Sequence, residues 1–143
     1  MHSDIVDLEK SIKIQLNIDG LPLFRSSSGQ FWPILGRLEN IGKGEPFIIG
    51  LFYGNSKPKN VSTYLNALIE EINQLVAHGI VYADEQFDIL ISSIICDSPA
   101  KAFIKNVKQY SSYSGCDKCT KSGTWVGKMT YPETDSVLRT DLD

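Results

Sequence analysis

Ser11-Ile12-Lys13-Ile14-Gln15-Leu16-Asn17-Ile18-Asp19 alternates apolar and polar residues without a break. Ile12, Ile14, Leu16 and Ile18 fall on one side, and Lys13, Gln15, Asn17 and Asp19 on the other. Such a two-residue period is the pattern of a half-buried β-strand. Asp19-Gly20 and Leu21-Pro22 end it. A second apolar run, Phe31 to Leu38, contains Pro33, which cannot donate to a ladder and so predicts an edge position or a bulge. Gly42 and Gly44 mark a turn. Phe47 to Tyr53 is a third strand, closed by Gly54-Asn55. Three strands joined by short connections predict an antiparallel meander.

Beyond the meander the period changes. From Val61, the residues Tyr64, Leu65, Leu68, Ile69, Ile72, Leu75 and Val76 recur at helical spacing. Asn60 or Ser62 can cap the start, and Gly79 can supply a left-handed residue past the end. Phe87 to Cys96 is a fourth strand, and Ile89-Leu90-Ile91 and Ile94-Ile95 are apolar on both of its faces. That predicts a central strand covered on both sides, typically a parallel one. Asp97-Ser98-Pro99 opens a second helix, with Ala100, Phe103, Ile104 and Val107 inward and Lys101, Lys105 and Lys108 as an outer stripe. The order β-β-β-α-β-α predicts an α/β domain with a mixed sheet. Residues 1–10 read as a loose tail, 11–108 as the folded core, and 109–143 as an irregular basic segment and polar tail.

Apolar residues at 42% and charged residues at 22% are ordinary values for a soluble globular protein. No apolar run is long enough to span a membrane, and the polar, acidic start resembles neither a signal nor a transit peptide. The expected location is therefore the nucleus or cytoplasm, not the secretory route, and thiols there stay reduced. The net charge of −3 is unevenly spread. Ser98 to Tyr131 holds six lysines and one acid, Asp117, so that stretch carries +5 and the remainder −8. A basic lobe beside an acidic body suits metal in one place and phosphate in another, although a solvated lysine face has the same composition.

Two aspartates stand where strands end. Asp19 closes the first strand on its polar side, and Asp97 directly follows the fourth. Were those strands neighbours, the two carboxylates would repel unless a cation lay between them. Mg²⁺ is a suitable cation, because it takes one or two carboxylates together with water and phosphate oxygens. Each residue also has a plain structural role open to it: Asp-Gly is a common hairpin turn, and Asp before Ser-Pro is a helix N-cap. Cys116-Asp117-Lys118-Cys119 has zinc-ligand spacing, but a structural zinc needs four ligands and the sequence offers no second pair. Half of a zinc site, two ordinary thiols and a redox pair all remain open. Cys96, beside the fourth strand, reads as a small core residue.

Several segments occur together in order: NIDGLPLFRSSSGQFWPILGRL, PFIIGLFYGNSKPKNVSTYL, IICDSPAKAFI and SGCDKCT. Together they resemble the catalytic region of CACTA-type (En/Spm-like) cut-and-paste DNA transposases and their animal relatives, from about Ile12 to about Arg139. The resemblance implies an RNase H-like core, truncated here, with a basic CxxC-containing insertion. It implies that Asp19 and Asp97 are the first two of three catalytic acids binding Mg (or Mn), that Cys116 and Cys119 belong to a zinc-binding segment, and that the partner is DNA. It also implies a homo-oligomer for the intact transposase. The family's third acid and paired histidines have no counterpart; Tyr110 stands where a histidine is expected, and Glu133, Asp135, Asp141 and Asp143 lie in a polar tail. The expectation is thus a transposase fragment whose intact form hydrolyses phosphodiesters and transfers strands, and which is inactive as this chain. Lys101, Lys105 and Lys108 are the candidate phosphate contacts. The alternative is a non-catalytic module, derived from a transposase, that binds nucleic acid or a partner.

Overall fold

The alternating segment is β1 (Ser11–Ile18) of a mixed sheet in the computed structural model, which describes residues 10–23, 28–42, 44–132 and 135–140. The tail expected over residues 1–10 lies outside them, apart from Lys10. The chain divides into two units, Met1–Ile95 and Cys96–Asp143.

In the first unit β1 pairs antiparallel with β3 (Gln30–Leu38), and β3 pairs antiparallel with β4 (Phe47–Gly54). Helix α1 (Val61–His78) then crosses over, and β6 (Glu85–Ile95) pairs parallel with the other side of β1. The expected α/β class and mixed sheet are thus present. Asn60 caps α1, its side chain accepting from the Thr63 amide at 3.0 Å. Gly79 ends it at φ +63°, and its amide donates to the Leu75 carbonyl at 2.8 Å. A side chain at Gly79 would be strained by that φ and would also bring Cβ within 2.3 Å of the Phe87 carbonyl oxygen.

The apolar stripe of β1 forms the centre of the core. Leu16 and Ile18 are the most completely buried large side chains, with Ile12, Trp32, Ile34, Leu65, Leu68, Phe87 and Ile89 also buried. The Tyr64 hydroxyl donates to the Trp32 carbonyl at 3.2 Å, and burial pushes the Tyr64 pKa up to about 12.

Short elements that periodicity does not show complete the unit. β2 (Leu21–Pro22) pairs with Gln30 and Phe31 of β3 in the register that β1 already follows. β1 and β2 are therefore one line of chain interrupted at Asp19-Gly20, not two arms of a hairpin. Pro33 lies opposite that interruption, between the Ile18–Ile34 and Leu21–Phe31 pairs, where neither strand pairs with it. The irregularity expected from Pro33 also appears as a register shift on its β4 side, between Ile34 and Leu35. β5 (Ile80–Tyr82) forms a hairpin with β6 around Ala83-Asp84, both at positive φ.

Cover on both faces of β6 is not observed: Leu90, Ile94 and Ile95 are 46%, 52% and 48% exposed. Among the described residues α1 is the one helix of this unit, and a single helix covers a single face. Ile48, Leu51 and Tyr53 of β4 are exposed as well.

In the second unit, α2 (Ser98–Ile104) is shorter than the sequence suggests. Asn106 at φ +52° turns the chain out of the helix, so Lys108 does not share a helical stripe with Lys101 and Lys105. β7 (Thr124–Trp125) and β8 (Met129–Thr130) form a small hairpin around Gly127.

Replacing Leu16, 1% exposed, by alanine removes packing at the sheet centre. The expected loss is about 2–5 kcal/mol in a urea unfolding titration. A loss comparable to that of an exposed site such as Val81→Ala would show that this residue is not at the core.

Candidate functional site

Asp19 is held where the β1–β2 line breaks. Its Oδ1 accepts from the Gly20 amide at 2.7 Å, and the residue is partly buried. Gly20 is needed there for space: a Cβ would come within 2.9 Å of the Trp32 indole. Indole and backbone together fix the interruption and with it the carboxylate.

In the second unit Asp97 is the N-cap of α2, as the sequence permits. Its Oδ1 accepts from the Ala100 amide at 2.7 Å, and its carbonyl accepts from Lys101. Among the described residues no further hydrogen bond or ion pair is seen at either carboxylate. One oxygen of each is thus engaged locally, and a carboxylate oxygen is a donor that suits a hard divalent cation. The strands that lead to the two aspartates are neighbours and parallel. Asn17 pairs with Ile95, and each aspartate lies two residues further along its chain.

The lysines behave differently from one another. The Lys101 ammonium pairs with Asp117 Oδ2, and Lys105 Nζ lies 3.6 Å from the same oxygen while donating to the Asp117 carbonyl at 2.9 Å. The hydrogen bond from Lys101, then its charge and that of Lys105, hold the Asp117 carboxyl below its ordinary range. The same bond raises the Lys101 pKa. Sequence spacing does not reveal this bridge, because Asp117 reaches α2 only through the fold; its being the sole acid in a basic stretch is the available hint. Two of the three candidate phosphate contacts are therefore engaged in positioning the CxxC loop.

That loop is braced from several sides. Gly115 packs so closely on Gln109 that a Cβ would lie 2.0 Å from the Gln109 carbonyl oxygen. Its amide donates to the Tyr131 hydroxyl at 2.9 Å, and that hydroxyl donates in turn to the Ser112 carbonyl. On the other side Arg139 Nε donates to the Cys116 carbonyl at 3.0 Å, and Leu138 bridges Cys119. The two sulfurs are 3.2 Å apart. The Lys118 amide, then the Cys119 side chain, lower the Cys116 thiol pKa. Two sulfurs are half of a structural zinc set, and among the described residues no group of three or more His, Cys, Asp or Glu is assembled. The described residues do not complete a zinc site.

The ion bridge has a pH signature. A depressed folded value means that the pairing contributes stability above the carboxyl's ordinary 3.8 and loses it as pH falls through the lower folded value. A carboxyl NMR titration should give Asp117 a midpoint below 3.8, and Lys101→Gln should move it upward; an unchanged midpoint would count against the bridge. Iodoacetamide at neutral pH should alkylate Cys116 faster in the folded chain than in the urea-unfolded chain, since the thiolate is the reacting form. An equal or slower rate in the folded chain would contradict the lowered thiol. Compared with known proteins, the chain matches no family model, no curated protein and no solved structure.

Proposed function

We propose that the chain is part of the catalytic region of a CACTA-type cut-and-paste DNA transposase with an RNase H-like core, acting on DNA in the nucleus. Asp19 and Asp97 would hold Mg²⁺ or Mn²⁺ for phosphodiester hydrolysis and strand transfer. The observation that carries the proposal is the parallel β1–β6 register, which aligns the two strand ends from which these aspartates follow.

Bound in pairs, such ions polarise the phosphoryl oxygens and ease formation of the nucleophile. The chain's own contribution is positional. The Gly20 and Ala100 amides each take one carboxylate oxygen, which limits side-chain rotation and leaves the other oxygen to coordinate. Lys108, exposed in the second unit, suits phosphate contact, whereas Lys101 and Lys105 hold Asp117. The third carboxylate of such a set is not assigned among the described residues.

A second proposal, a nucleic-acid-binding module without chemistry, is favoured by the exposed cations of the second unit, including Lys108, Lys118 and Lys128.

Paramagnetic broadening by Mn²⁺ separates the two. The first proposal expects backbone signals beside Asp19 and beside Asp97 to broaden at the same Mn²⁺ concentration. It expects both sets to recover in Asp19→Asn and in Asp97→Asn, without nicking of supercoiled plasmid by this chain. Independent broadening of the two regions, each insensitive to the other substitution, would sink shared metal binding. Salt-dependent DNA affinity unchanged by metal would then favour the module.

A further inference from the structure

Between the end of β4 and the start of α1, the loop Gly54 to Asn60 borders an open cavity of about 580 Å³. Sites for small organic ligands commonly measure roughly 300–1,000 Å³. Its walls are the rings of Phe52 and Tyr64, both partly buried, with centroids 6.3 Å apart and planes at 85°. The Tyr64 hydroxyl is engaged with the Trp32 carbonyl, so its polar end is already satisfied and its ring lines the groove. Gly54 lets Phe52 lie close over the loop, since a Cβ there would come within 2.9 Å of the ring. Lys57 and Lys59 stand at the rim on either side of buried Pro58, and among the described residues no acid lines the cavity. The first turn of α1 carries no acid either, so the helix dipole adds to the positive rim.

Aromatic walls beside two lysines suit a ligand with a flat apolar ring and an attached anion. A nucleotide has both. In a duplex the faces of the bases are covered by their neighbours, whereas an unpaired strand offers them for stacking on aromatic side chains. We propose that this groove binds single-stranded nucleic acid, with a base against Phe52 and Tyr64 and its backbone phosphate between Lys57 and Lys59. The inference shares a nucleic-acid partner with the preceding proposal but uses neither of its aspartates nor a metal.

The test is fluorescence anisotropy of a labelled short oligothymidine with the full chain in EDTA, over a salt series. Binding should persist in EDTA and in Asp19→Asn, which separates this inference from the metal-dependent one. In Lys57→Gln/Lys59→Gln the slope of log affinity against log salt should fall by about 1.4, given about 0.7 per phosphate contact on a single strand. Phe52→Leu, which keeps an apolar side chain, should weaken binding by roughly 5- to 150-fold, the loss expected for one stacked base. Lys121→Gln/Lys128→Gln removes the same charge elsewhere and should change the slope less. Thermal melts establish folding, and should Phe52→Leu not fold, the lysine slopes decide. The inference is overturned if oligothymidine does not bind, if the two lysine pairs give equal slopes, or if the duplex form of the same length binds as tightly and is equally sensitive to Phe52→Leu.

Discussion

The parallel pairing of β1 with β6 is the constraint from which the first unit follows. A parallel partner cannot be reached by a tight turn, so the chain must cross from the far side of the sheet, and α1 makes that crossing. The polar side of β1 secures the pairing. Gln15 Nε2 donates to Ser93 Oγ at 3.0 Å, Ser92 Oγ donates to the Ile14 carbonyl at 3.1 Å, and Asn17 Nδ2 donates to the Ile95 carbonyl at 3.2 Å. These bonds flank the one register shift in the ladder, between Ile14 and Gln15. The apolar side of the same strand is meanwhile buried in the core. One nine-residue alternation, Ser11 to Asp19, thus supplies the core on one face and the polar ties to β6 on the other.

Features governed by local repetition were legible in the sequence. The alternation of β1, the helical spacing of α1, the cap at Asn60 and the terminator at Gly79 each leave a pattern within a few residues. Features governed by distant partners were not. β2 is two residues long and pairs only because β1 has already set the register on β3. Asp19-Gly20 has the composition of a hairpin turn, yet the chain runs on, because Trp32 occupies the space over Gly20 and Pro33 leaves a gap in the ladder opposite. The double-sided apolarity of β6 predicted cover that a single helix does not provide.

The candidate site divides along the same line. The cap role of Asp97 and the break at Asp19 follow from neighbouring residues, and so do the cysteine spacing and its lysine-rich setting. The link from Lys101 and Lys105 to Asp117 joins residues more than ten positions apart with no repeating pattern. Its effect is to convert part of an apparent phosphate-binding surface into internal bracing. The basic stretch thus offers less free positive charge than its composition suggests, and the lysines not bonded to Asp117 contribute most of its field.

The separation of β1 from its partner also imposes an order in time. Gln15 and Ser93 are 78 residues apart, so on a ribosome adding about 5–20 residues per second β1 waits roughly 4 to 16 s before β6 exists. During that interval the antiparallel strands can form, but the core side of β1 lacks both its parallel neighbour and α1. Phe47–Gly54, an eight-residue strand without a single charged side chain, keeps Ile48, Leu51 and Tyr53 exposed even in the folded sheet, and while β6 is awaited it is the kind of segment that recruits other unfinished chains. The pace of synthesis therefore matters to this chain beside its final stability.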